Sequence, residues 1–382
     1  MILLVLLFYL LGVVVIFNAM RKGILNSPDA VFFIWWGLLL GLYIFSEDEL
    51  VELSDYFILY ITIFGAVFSI SFRLGLFINF KKLSFKICFS PYFLFFIGLS
   101  LSLYSLIIGY ANFSNAGFNF SLLRASINDA SSQASLGVGL SFPICAACAV
   151  YAREVSRTYI SSLFYSLLLM LALVSTSKIF IILFIFYAYP WHKDKINYKW
   201  IFLSSFLILV GFGVSHFLLE KFSSNPDDGI FTAIFNTFKV YLLGGIAALQ
   251  IYIKTPDLLP DGIMYTGMPE IASIFINVPT TDILPWSYFG KWNGNVYTAF
   301  AYWINSFGFI SCLIMGGGLG FYYSIFFRNK SDFSRDFYKV FLVFCIIITF
   351  FNDNYIPSFK MHVAFIISSL MLRFINQRKG VL

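Results

Sequence analysis

Apolar stretches of helical length recur along this chain, with few charges inside them. They fall near 2–18, 30–45, 56–72, 88–110, 134–151, 158–175, 178–190, 200–218, 297–327, 338–352 and 358–375. A helix needs about 20 mostly apolar residues to cross the hydrocarbon of a bilayer. The stretch 178–190 is short and is admitted because the charge pattern requires it. A chain that is 60% hydrophobic and 12% charged cannot cover a water-facing surface, since soluble domains carry about 25% charged residues. The expectation is an all-α polytopic membrane protein with about eleven transmembrane helices. The first run, "MILLVLLFYLLGVVVIFNAM", has no basic leader and no small-residue cleavage site, so it is read as a span and not as a signal peptide.

Charge gives the spans a direction, because Lys and Arg collect on the cytoplasmic side of a membrane. Placing "RFINQRKG" inside makes the loops at 19–29, 73–87, 152–157, 191–199 and 328–337 cytoplasmic. That side then holds 18 of the 25 Lys and Arg but only 5 of the 19 Asp and Glu. The N-terminus faces out and the C-terminus in. One segment, 230–253, is long enough to span, but spanning would invert everything after it. Its Thr232, Asn236 and Lys239 oppose Phe231, Phe235, Phe238 and Leu242, the pattern of an amphipathic helix lying on or dipping into the outer face. The chain therefore divides into eight helices over 1–218 with an outer loop at 111–133, a large outer loop at 219–296, and three helices over 297–382. Loops this long are usually functional or disordered, and the aromatic, Pro- and Gly-rich composition of this one argues against a solvated tail.

The outer face is net acidic, so its cations stand out. Arg124 is the only one in 111–133, and Lys178 follows "VSTS" at a helix start. Arginine grips phosphate with a planar fork and lysine acts as a point charge; snorkelling or a surface ion pair explains either residue equally simply. Any group transfer to a hydroxyl on this face would also need a base to take its proton. Glu270 and Asp282 flank the apolar "IASIFINVP", which would desolvate them if it folded against the bilayer; otherwise they are solvated loop charges. Trp292, Asn293, Asn295, Tyr297 and Thr298 crowd the entry to the span at 297–327. They fit an interfacial aromatic belt, and they also fit a sugar-binding wall of ring faces, amides and hydroxyls.

Other patterns point away from chemistry. No group has metal-ligand spacing, and no nucleotide-binding glycine motif occurs, so no metal, cofactor or nucleic acid is expected. "CAAC" at 145–148 and "MGGGLG" at 315–320 read as close helix packing. Cys145, Cys148, Cys312 and Cys345 lie in apolar segments and Cys88 at a helix start, so no disulfide framework is implied. His216 and His362, at outer helix ends, read as satisfied or interfacial.

Three features together resemble the Wzy-type oligosaccharide repeat-unit polymerases. "GNVYTAFAYWINSFGFIS" is similar to that family's Asn-Val-Tyr-Thr opening followed by an Asp-Phe-Gly turn. Asn295 to Thr298, Phe307 and Gly308 match, while Ser306 stands where aspartate is common. "STSKIFIILF" is similar to a Ser-Arg pair that opens a helix, with Lys178 in the arginine position. The plan, with one large outer loop before the last helices and Arg124 in an earlier one, completes the likeness.

The resemblance implies a GT-C-like membrane glycosyltransferase in a bacterial inner membrane. Its substrates would be undecaprenyl-diphosphate-linked oligosaccharides, joined at the periplasmic face among membrane lipids, with a chain-length regulator and a flippase of the same pathway as partners. Arg124 and Lys178 would steady the leaving diphosphate, with Lys239 as a further cation. Glu270 or Asp282 would be the base, and Trp292, Asn293, Asn295, Tyr297 and Thr298 would line the acceptor's path. Three rivals stay open: an O-antigen ligase, a lipid-linked oligosaccharide flippase, and a non-catalytic assembly subunit. A ligase is expected to carry a histidine and arginines in its large loop, and 219–296 has neither. A flippase commonly shows internal repeats and mid-membrane charges, and neither is seen.

Overall fold

The computed structural model describes residues 1–22, 24, 27–46, 50–78, 90–119, 122–123, 133–175, 177–188, 230–259, 287–289, 292–294, 297–328, 333–352, 355 and 358–376. They are helical throughout, apart from turns and one short hairpin. The chain forms two compact units. One comprises Met1–Lys81, Asn236–Lys330 and Leu342–Phe359; the other comprises Lys82–Phe235, Ser331–Phe341 and Lys360–Leu382.

The first unit is built on α1 (Ile2–Arg21), α2 (Pro28–Ile44) and α3 (Asp55–Gly75). Pro28 starts α2 at the position where its missing N–H costs nothing. Ser54 caps α3 by accepting from the Phe57 N–H. α2 runs antiparallel to α3: Arg73 Nε donates to Asp29 Oδ2 at 2.7 Å, and at the other end the Tyr43 hydroxyl donates to the Val51 carbonyl. α1 runs parallel to α3, with the Met1 amine 2.6 Å from Asp55 Oδ1.

α10 (Ser311–Phe327) is also parallel to α3, because its glycines let the backbones touch. A Cβ at Gly316 would stand 3.0 Å from the Phe64 carbonyl oxygen, and one at Gly320 would collide with that of Phe68. The glycine run is packing, as expected. In consequence Arg21, Lys22, Arg73 and Arg328, at the C-terminal ends of three parallel helices, share one end of this unit. Glu52 and Asp55 mark the other.

The second unit packs α4 (Pro91–Asn115), α5 (Gln133–Glu154), α6 (Thr158–Val174) and α7 (Lys178–Ala188). Gly98 admits the Cys148 side chain and Gly109 admits Val174. Cys145 and Cys148 are buried free thiols that donate to the carbonyls of Phe164 and Leu94. Tyr187 of α7 donates to the Phe337 carbonyl and stacks on Phe365. His362 bonds the Tyr338 hydroxyl at 2.9 Å and lies against Phe341, so it is a satisfied core histidine. α11 (Phe333–Ile348) and α12 (Phe359–Asn376) each contribute to both units.

Among the described residues, four stretches are long and apolar enough to cross a membrane: α1, α3, α4 and Ala299–Phe327. The expected helix at 200–218 lies outside the described residues. Two expectations change. The segment at 230–253 does form a helix, α8 (Ile230–Lys254). However, every residue from Leu243 to Gln250 is buried, and a helix resting on a membrane keeps one face in water. Its second half is a core element of the first unit. In addition, Ser287–Phe289 (β1) and Trp292–Gly294 (β2) pair as an antiparallel hairpin, with Ser287 opposite Gly294. This is a short strand pair in a chain expected to be wholly helical.

Candidate functional site at the α9 reversal

The stretch expected to be one span at 297–327 is two helices. α9 (Ala299–Phe307) ends in a 3-10 turn, Gly308–Ile310, before α10 begins. Gly308 has φ +60° and ψ −153°, a region open essentially to glycine alone. The turn reverses the chain. Trp303 of α9 and Tyr323 of α10 both pack on Tyr355, with ring centroids 5.9 and 6.5 Å away. In a single straight helix these twenty-residue neighbours would stand about 30 Å apart. Likewise Tyr60 of α3 meets Phe300 from the start of α9, Phe309 from the turn, and the Ser311 hydroxyl from the start of α10.

The start of α9 is consequently inside the protein. Tyr297 and Thr298 are fully buried. The Tyr297 hydroxyl bonds Ser287 Oγ at 2.5 Å, which pins the β1–β2 hairpin beside the helix start. The Ala299 N–H donates to the Thr349 carbonyl, and Thr349 Oγ1 accepts from Trp36 Nε1 at 3.0 Å. α8 comes close at Gly245, where any side chain would strike the Phe350 carbonyl and lie in van der Waals contact with the Thr298 nitrogen. Thr298 sits at the N-cap but makes no cap bond, and its Oγ1 has no partner. A threonine there normally bonds a first-turn N–H, so this buried hydroxyl is held in reserve.

The far end of α9 has the same character. Asn305 Oδ1 and Ser306 Oγ are buried without partners, and Asn305 Nδ2 donates to the Leu259 carbonyl over a long 3.4 Å. Gln250 of α8 accepts from both the N–H and the hydroxyl of Ser54, leaving its own Nε2 unused. Buried polar groups in proteins are nearly always satisfied, and although other exceptions such as Ser69 and Ser102 are scattered over the described residues, four belong to α8, α9 and the α9 N-cap, which makes this region the candidate site.

The expected site residues distribute as follows. Tyr297 and Thr298 are brought together at the α9 start. Trp292 and Asn293 lie on β2, paired in register with Phe289 and Tyr288. Lys239 lies on α8, half-buried, six residues before Gly245. Lys178 opens α7 in the second unit. Arg124, Glu270, Asp282 and Asn295 lie outside the described residues. No group of His, Cys, Asp and Glu among the described residues suits a metal ion.

No protein-family model matches the chain, and no solved structure does. A curated protein does: it is 34% identical to an O-antigen polymerase of Shigella dysenteriae over 354 residues, which is 92% of this chain and 91% of that one. The chain belongs to the O-antigen polymerases. As a member of that family it is a membrane glycosyltransferase.

For this O-antigen polymerase, residue patterns found the α9 entrance but missed the groups that frame it. Ser287, Thr349 and Gln250 are single polar residues in apolar surroundings, and their partners lie up to 313 residues away. The reversal did leave a trace. "INSFG" sets two polar residues and a glycine in the middle of an apolar stretch, a helix-end signal.

Proposed function

We propose that this protein polymerises undecaprenyl-diphosphate-linked oligosaccharide repeat units at the periplasmic face of the bacterial inner membrane. The growing chain passes from its lipid to a new lipid-linked repeat unit. An acceptor hydroxyl attacks the anomeric carbon of the chain's first sugar, the bond to the lipid diphosphate breaks, and the hydroxyl proton goes to a carboxylate, Glu270 or Asp282. The diphosphate gains charge as it leaves, and fixed cations stabilise that change. Arg124 and Lys178 take that role, with Lys239 as a further cation. Trp292, Asn293, Asn295, Tyr297 and Thr298 form the acceptor's surroundings.

The observation that carries this reading is the likeness to the Shigella polymerase along nearly the whole chain. The architecture is GT-C-like, with about eleven spans, a periplasmic N-terminus and a cytoplasmic C-terminus. In topological terms, 1–218 and 297–382 are the membrane parts, and 219–296 is the periplasmic loop, from which the second half of α8 packs back into the first unit. Gathering Arg21, Lys22, Arg73 and Arg328 at one end of the first unit supports this direction. A chain-length regulator and a flippase complete the assembly line. Deleting the gene tests the reading. A polymerase mutant leaves lipid A core capped by one repeat unit; bare core with accumulating lipid-linked polymer would identify a ligase, and repeat units held on the inner leaflet a flippase.

A further inference from the structure

The polar groups at the end of α9 lie at the acidic end of the first unit. Phe309, next to Gly308, packs on Tyr56 at 5.2 Å, one residue from Asp55. Gly308 and Ile310 are exposed, and a Cβ on Gly308 would meet nothing within 4 Å. The turn therefore presents bare backbone to open space. Beside it stand Asn305 Oδ1 and Ser306 Oγ, both unpartnered. At the same end, Gln250, itself fully buried, keeps an unused amide donor. These groups are neutral, comprising a carbonyl oxygen, a hydroxyl and an amide, with the rings of Tyr56 and Phe309 as apolar faces. Neutral donors and acceptors beside ring faces suit a sugar, with its hydroxyl edges and C–H faces.

We propose that Asn305 and Ser306 are specificity-determining residues that hold hydroxyls of the acceptor repeat unit at the Gly308 turn. This rests on the polymerase reading above and adds residues to it. The orphaned atoms separate recognition from structure. Removing a buried polar atom that bonds nothing in the protein leaves stability equal or improved. A purely structural Ser306 would therefore give an alanine variant as stable and as active as the native enzyme, and a purely structural Asn305 one that loses only the stability of its bond to the Leu259 carbonyl.

The test uses the purified, detergent-solubilised protein and lipid-linked repeat units extracted from cells deleted for this gene. Initial polymerisation rates are measured against repeat-unit concentration for Ser306→Ala and Asn305→Ala, alongside thermal melting. Ser306→Ala is expected to melt at or above the native temperature and Asn305→Ala, which also loses the bond to the Leu259 carbonyl, slightly below it; both raise KM about 3- to 10-fold with kcat nearly unchanged, the effect of one neutral hydrogen bond. Unchanged KM in Ser306→Ala overturns the proposal, as does a lowered kcat with native KM. If Asn305→Ala does not fold, Ser306→Ala, which deletes one oxygen, decides alone. If the native protein makes no polymer from these units, the polymerase reading fails with it; native activity with indifferent variants sinks only the subsite.

Discussion

α9 and α10 are adjacent halves of one apolar stretch, Ala299–Phe327, and they are built on opposite principles. In α10 the small and polar residues that face α3 or its own turn serve packing, while Gly318 faces open space. Gly316 and Gly320 bring the backbone against α3, the Ser311 hydroxyl donates to the Gly308 carbonyl, and Ser324 donates to Phe321. Tyr323 is bonded to both the Leu342 carbonyl and Tyr355. In α9 the apolar face is as well packed, with Phe300 and Trp303 against Phe64, but Thr298, Asn305 and Ser306 have polar atoms with no partner. A fold optimised only for stability would not put these side by side. The contrast separates a packed scaffold helix, α10, from a helix, α9, whose buried polar atoms are left unused by the fold. Functional sites are where local rules are expected to break.

Substitutions can break or sharpen this contrast. The largest effect lies outside both helices. Arg124→Ala is expected to abolish polymer at unchanged protein level on immunoblots, because it removes the charge assigned to the leaving diphosphate; polymer of normal length would remove that assignment. Within the scaffold half, Gly320→Leu forces a side chain into the Phe68 carbonyl and is expected to cost about 3 kcal/mol or more, read as loss of membrane-inserted protein. At the junction, Gly308→Ala strains a backbone that only glycine adopts freely, costing about 1–3 kcal/mol, seen as a lower melting temperature together with reduced polymer. Tyr297→Phe leaves Ser287 Oγ buried without its partner. It is expected to cost about 1–3 kcal/mol in the same assay, less than Gly320→Leu. Thr298→Val is the smallest change. It removes a hydroxyl that bonds nothing in the protein, so melting should move by under about 0.5 kcal/mol, while any fall in polymer yield reports a substrate contact.

Much of the fold was legible because the bilayer imposes a simple rule. An apolar run of the right length forms a helix, and α1 to α7 begin and end within a few residues of the expected bounds. That rule is blind to direction inside a run. Ala299–Phe327 satisfies it whether straight or reversed, and only Gly308 and the polar pair before it betray the turn. In α8 the alternation of polar and apolar residues near Asn236 and Lys239 was extended to a second half that does not share it. Leu243, Gly244, Gly245, Ile246, Ala247 and Ala248 have no polar face, and a segment apolar all round belongs in a core. At the site, Tyr297 and Thr298 were legible as polar detail at a helix entrance. Their burial was not, because it depends on where Thr349 and Gly245 arrive from elsewhere in the chain.

On the polymerase reading the β1–β2 hairpin, pinned beside the buried α9 start, and the acidic end of the first unit both belong to the periplasmic side. Tyr288 on β1 is 74% exposed and Lys22 at the end of α1 is also exposed. In a background with the native cysteines replaced, single cysteines at these two positions can be challenged with a membrane-impermeant maleimide in spheroplasts. The account predicts that Tyr288→Cys is labelled in intact spheroplasts, and Lys22→Cys only once the inner membrane is broken. Labelling in the reverse order would contradict it.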